Sequence, residues 1–372
     1  PPRSTLFPYT TLFRSQTLTG IIVGAFKSIT RRGGVTVWDF DSVTIEDSLD
    51  TGGGNFTLNA GKTLEIDDGC VVEISGGDWT PNGTLTLHAN SKFLYTGSAE
   101  TMHHLQPVIY GNIEHTAGTL TQKSGGTLSL AGTFTNTSGN FAASEAISAV
   151  GIVWTAGSVT GTPSQTWDIG TDGITINGGV FVATTGTFAV AGNWTLNGGI
   201  LTASTSTVDF DGTTGQTITS GTNPFYSAAV SNTTATVSIA DKFEFDASGT
   251  LAIDPSATFA TASFDFDDNG GTITNNGTFE IHGDETFTTG ILSIPGNTKF
   301  VDPLGCILTP TLGGLEDVTF DENGNTFALG ENTDFITGTI TVRTGTTFDM
   351  EAFDLTVADR QMVINNGIWP AP

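Results

Sequence analysis

The residues of this 372-residue chain best suited to chemistry are acidic ones set beside glycine. Asp265-Phe266-Asp267-Asp268-Asn269-Gly270 places side-chain oxygens at the alternate positions Asp265, Asp267 and Asn269, followed by glycine, as in the first half of a calcium-binding loop. The twelfth position of such a loop holds a bidentate glutamate, and here it is Asn276. A weak surface calcium (Ca2+) site is one expectation from this string, and an Asp-rich turn is the competing one. No other cofactor is expected. Two adjacent acid pairs stand out, Asp67-Asp68 and Asp267-Asp268. Hydrolysis of a glycosidic bond needs two carboxylates held across a cleft, one of them with a raised pKa. Acids next to glycine are more often solvated turn residues, so no catalytic role is expected for either pair. Of the five histidines, His88, His103, His104 and His115 fall close together. Zinc requires three or four converging ligands and no cysteine lies beside them, so a solvated loop is expected. Neither a Gly-x-Ser-x-Gly elbow nor a phosphate-binding loop is present.

Charge narrows the function classes further. The chain carries 38 acidic and 12 basic residues, a formal charge of −26. Arg3, Arg14, Lys27, Arg31 and Arg32 crowd the start, and the remaining basic residues are scattered. Nucleic-acid binding needs a basic patch, and none can be assembled. A lyase acting on acidic sugars needs Lys or Arg against the enolate, and the same scarcity argues against it. An acidic surface keeps an exposed protein soluble and holds divalent cations weakly.

These residues must be positioned by short strands. Thr207-Val208-Asp209-Phe210-Asp211 and Thr236-Val237-Ser238-Ile239 alternate apolar with polar, which buries one set of side chains and exposes the other. Each run stops at Gly, Asn or Asp, and none has helical spacing. Val43, Ile45, Phe56, Leu58, Leu64, Ile66, Leu85, Leu87, Val208, Phe210, Val237, Ile239, Phe320 and Phe327 form the expected inward stripe. Runs recur about every ten residues, so two or three strands make one coil of roughly 20–25 residues. Asn-Gly at Asn82, Asn177, Asn197, Asn276, Asn323 and Asn366 supplies corners that tolerate positive φ. Asn-Gly also suits antiparallel hairpins, which leaves an array of small β-sandwiches as the alternative. Repetition along the whole chain favours an all-β fold, an elongated and mostly parallel β-solenoid.

The ends and the repeats set the expected organisation. Residues 1–15, PPRSTLFPYTTLFRS, look like a translated sequencing-adapter tail of a metagenomic reading frame and are expected to be foreign to the fold. Residues 16–34 form a lead-in strand or the remnant of an export signal; Ile21–Phe26 is too short to span a membrane. The solenoid is expected over 35–372, with related units near 77–150, 192–260 and 299–350. Their phrase is Gly77-Asp78-Trp79-Thr80, repeated as Gly192-Asn193-Trp194-Thr195. The lack of an initiating Met and of capping segments leads us to expect a fragment of a longer protein. Cys70 and Cys306 would sit many coils apart, too far for a disulfide, and Cys70 is expected as a buried free thiol.

The phrases GNWT, VDFDGTTGQTI, FYSAAVSN and FEFDASGTLAI, read from Gly192 to Ile253, resemble the repeats of large secreted bacterial surface proteins with adhesin-like or autotransporter-like β-solenoid regions, and the resemblance covers about residues 35–370. That resemblance implies an extracellular or cell-surface location, a structural or adhesive role, and surface glycans or other envelope proteins as partners. Asp267-Asp268, His282-Gly283 and Asn332-Thr333-Asp334 resemble pieces of polygalacturonase signatures, but their order is wrong and no Arg-x-Lys follows the histidine. A polysaccharide-active β-helix or a carbohydrate-binding module is therefore the alternative. Thr-x-Thr triplets such as Thr84-Leu85-Thr86, Thr119-Leu120-Thr121 and Thr272-Ile273-Thr274 would form a flat Thr ladder if stacked, as in ice-binding solenoids. Their uneven spacing leads us to expect ordinary outward Thr instead.

Overall fold

The structure is a computed structural model that describes residues 36–102, 109–161, 164–262 and 264–282 continuously. Outside these it describes 11–14, 18–32, 286–287, 291–301, 307–310, 315–320, 326–329, 333–335, 339–343, 347–349, 355–357 and 362–365. Among the described residues there is no helix, and the strands stack parallel in about 11 coils, so the fold is a β-solenoid. Among the described residues, then, no helix is long and apolar enough to cross a membrane. Two compact units are distinguished, Pro1–Gly186 with Gly198–Thr202, and Thr187–Asn197 with Ala203–Pro372.

Within the first unit a coil carries up to three strands. Phe56–Leu58, Thr63–Ile66 and Val71–Ile74 make one coil, and Gly77–Pro81, Thr84–Leu87 and Lys92–Tyr95 make the next. Phe56 pairs with Trp79, Leu64 with Leu85 and Val72 with Phe93, each in parallel register. Alternation does the sorting, because a parallel ladder puts like positions above one another. Phe56 and Trp79 stack with ring centroids 4.4 Å apart and planes 5° off parallel. The strand Thr11–Arg14, inside the stretch expected to carry no fold, pairs in parallel with Ile29–Arg32.

The second unit repeats this logic with its own residues. Val208 pairs with Ala228, Ala228 with Leu251, and Leu251 with Ile273. Phe225, Phe243 and Phe266 form an aromatic column with centroid spacings of 5.2 and 5.8 Å. Gln216, buried at a corner, donates to the carbonyls of Val190 and Gly192 at 2.7 and 2.8 Å and accepts the Gly212 amide at 3.0 Å. Such a side chain satisfies backbone groups that the turn leaves without strand partners.

The inward stripe is as expected over the described residues, from Val43 to Ile239, except for Leu87, which is only half-buried. Phe320 and Phe327 have side chains outside the described residues. Asn82, Asn177 and Asn276 turn corners between parallel strands and make no hairpins, their amides donating to Leu58, Trp154 and Ile253 of the preceding coil. Cys70 is buried and free, and burial with Asp47 and Asp67 nearby pushes its thiol up to about 12. Cys306 lies outside the described residues.

Candidate functional site

The calcium-like string forms a strand and the turn that follows it. Phe266 points inward, and Asp265 and Asp267 alternate outward on either side of it. Asp267 accepts the Asn269 amide at 3.0 Å on one carboxylate oxygen and lies 3.3 Å from the Lys242 ammonium on the other. The Asn269 side chain donates to the carbonyl of Phe245 at 3.0 Å, one coil away. Asp265 contributes its backbone carbonyl to the Phe243 amide at 2.9 Å. The three candidate ligands thus stitch adjacent coils, and among the described residues no cluster of three or more acidic, His or Cys side chains converges for a metal.

The other chemical candidates make hydrogen bonds both between coils and within their own turns. Asp68 accepts the backbone and side-chain amides of Asn90 at 3.0 and 2.8 Å, and these bonds hold its carboxyl below the usual range. Asp268 is buried and accepts the Gly270 amide at 3.2 Å. The backbone of His282 donates to the Thr261 hydroxyl at 2.8 Å. His88 lies 3.0 Å from Glu65, whose other oxygen accepts the Thr44 hydroxyl at 2.9 Å, a three-coil surface ladder. His115 is buried, with its ring nitrogens at 2.6 Å from the Asn136 side-chain oxygen and 2.5 Å from the Ala117 carbonyl. His103, His104, Asn332 and Gly283 lie outside the described residues.

One buried acid escaped the sequence reading. Glu100 falls in the inward set of Ala99–Met102, with only 3% of its surface exposed. One oxygen accepts the Gly97 amide at 2.7 Å, and the other is buried without a partner. Burial pushes this carboxyl up to about 7, against the opposing pull of the Gly97 and Thr96 amides. Period two through Ala99-Glu100-Thr101-Met102 was the signal that would have found it.

The second feature that sequence reading missed is a whole face of the first unit. Six strands stack there: Ala99–Met102, Thr119–Gln122, Asn140–Ala142, Ser158–Thr160, Val180–Val182 and Ile200–Thr202. Leu120, Phe141, Val159, Phe181 and Leu201 point inward from them. Outward, one column reads Ala99, Thr119, Asn140, Ser158, Val180, Ile200, every neighbour in register. Two residues on in each strand, the second column reads Thr101, Thr121, Ala142, Thr160, Val182, Thr202. Within these six strands neither column holds a charge or an aromatic ring, but the ladder continues to a seventh strand, Gly77–Pro81, whose exposed Asp78 pairs in register with Thr101 and ends the second column in a carboxylate. Val180 and Ile200, directly paired, are 38% and 57% exposed. A neighbouring face of the same unit is charged, with Glu73, Leu94 and Glu114 in one column and Lys92 2.8 Å from Glu114. Along one edge of the uncharged face runs a glycine corner, Gly118, Gly139, Gly157, Gly179 and Gly199, all at positive φ. No side chain rises there to interrupt the plane. The Thr-x-Thr triplets do not stack on one another; Thr119 and Thr121 lie between Ala99 and Thr101 on one side and Asn140 and Ala142 on the other.

Comparison with protein-family models, with curated proteins and with solved structures found no match to this chain.

Proposed function

We propose that the chain is a structural, non-catalytic repeat region of a secreted bacterial surface protein, a stalk or adhesive module that meets its partner through the uncharged face of the first unit. The observation that carries this reading is that face: twelve outward positions without a charge, in a chain of net charge −26. Val180 and Ile200, exposed and directly paired on this face, give it the apolar centre that contact surfaces present within a polar rim. Of the acid pairs that enzyme chemistry would need, Asp267 is held by Lys242 and Asp68 by Asn90 of adjacent coils, and Asp67 and Asp268 accept amides of their own turns.

The rival is a polysaccharide-active β-helix. Incubation with insoluble neutral and acidic glycans distinguishes them, with released sugar and retained protein both measured. The proposal expects no product; retention on the solid is compared between the parent and Val180→Glu, which places a charge in the face. Turnover that disappears in Asp267→Ala or Asp268→Ala would establish the enzyme instead.

A further inference from the structure

We propose that the occupant of the uncharged face is an ordered lattice of water, the surface of ice. The inference rests on the reading of that face as the contact surface and names its partner. Apart from the Asn140 carboxamide, its outward groups are hydroxyls and methyls. Thr101, Thr119, Thr121, Thr160 and Thr202 each offer both, and Ala142, Val180 and Ile200 offer methyls alone. Ser158 donates to the side chain of Asn140 at 2.9 Å, turning that pair's polarity along the column and away from the ligand.

The spacing is fixed by the backbone. Successive coils lie about 4.8 Å apart, and the two columns about 7 Å apart along each strand. The result is a rigid two-dimensional array that loses little entropy on contact. A ligand matched to such an array must itself repeat in two dimensions. Methyl groups order the water over them, and hydroxyls set among them anchor that water by hydrogen bonds.

Other occupants fit less well. With one carboxylate, Asp78, at its end and no charge within the six strands, the face offers no repeated charge to an ionic polymer. Without an aromatic ring it offers no stacking platform to a sugar. Six strands and two columns span roughly 24 by 12 Å, about 300 Å², well short of the ~800 Å² per partner of a stable protein interface. A growing crystal brings its own lattice cohesion and makes no such demand on area.

The experiment freezes the full chain slowly in a seeded solution and measures its partition into ice, with thermal hysteresis by nanolitre osmometry. Four proteins are compared: the parent, Thr160→Lys, Val180→Glu, and Thr135→Lys, whose Thr points outward on a different face. Circular dichroism checks that each is folded. The parent and Thr135→Lys are expected to enter the ice and to show hysteresis, and the two face variants to lose both. A parent excluded from ice overturns the inference, as does equal activity in all four. Exclusion from ice combined with Val180-dependent retention on a neutral glycan, or Val180-dependent self-association in sedimentation, overturns ice while leaving the face as the contact surface. Exclusion with no Val180-dependent binding of any kind removes both readings.

Discussion

The carbonyl of Gly139 accepts the amide of Ser158 at 2.9 Å, and the same oxygen occupies the space that a side chain on Gly157 would need. Coil spacing along this edge is therefore set by backbone against backbone. Gly157 also sits at φ 84°, where a Cβ is strained on its own account. Gly61, at φ 77°, has the same strain with open space around it. Gly157→Ala is expected to destabilise by on the order of 3 kcal/mol, strain and overpacking together, and Gly61→Ala by only about 1 kcal/mol. Urea denaturation of the two variants checks the difference.

Glu100 makes stability depend on pH. Its carboxyl rises from 4.5 to about 7 in the folded state, because burial penalises the charge. The folded chain therefore holds a proton that the unfolded chain releases, and this contribution is full below the unfolded value. It declines as pH rises from about 4.5 and is gone above about 7, a loss of about 3 kcal/mol if Glu100 alone is counted. Glu100→Gln is expected to flatten that decline and to be the more stable protein at pH 8. Denaturation midpoints at pH 5, 6.5 and 8 test it, and an unchanged slope in the variant would contradict it.

Phe210 is fully buried, paired in register with Val190 on one side and Val230 on the other. Phe210→Leu leaves a modest cavity and is expected to cost about 1–2 kcal/mol. Phe210→Asp puts an unpaired charge in the same place and is expected to cost several kcal/mol more, about enough to unfold its unit. Thermal melts followed by circular dichroism separate the two.

Calcium must compete with Lys242 for Asp267, which lies 3.3 Å from its ammonium. Lys242 also pairs with Glu244, and both carboxylates hold its pKa up. We expect low-millimolar calcium to leave the melting temperature unchanged. Lys242→Met is expected to expose a weak calcium-dependent rise, since it frees two carboxylates on one surface. A rise already present in the parent and abolished by Asp265→Ala would show that the Asp265, Asp267, Asn269 string binds the ion directly.

Much of the architecture was legible because it depends on local alternation. Thr207, Val208, Asp209 and Phe210 show period two without ambiguity, and Asn82 and Asn177 do mark corners, although neither they nor the following Gly83 and Gly178 take the positive φ that the Asn-Gly pairs suggest. The uncharged face was not legible, because register depends on the length of every intervening turn. Thr119, Asn140, Ser158 and Val180 occupy one column, yet they are 21, 18 and 22 residues apart. Uneven spacing of Thr triplets argued against any ladder, whereas turns of different length absorb the unevenness and the strands stay aligned. Glu100 went unnoticed for a different reason. A single Glu in a Thr-rich run reads as solvated until the inward set is traced through Met102.

The central claim is that six strands of the first unit stand in one register and present one flat array. Spin labels at Thr121 and Thr202, in a Cys70→Ala, Cys306→Ala background, measure it directly by double electron–electron resonance. Four coil steps separate the two sites, so a single narrow distance distribution is predicted, corresponding to roughly 19 Å between the Cα atoms. A broad distribution, or one centred well beyond that value, would contradict the array and every contact proposed for it.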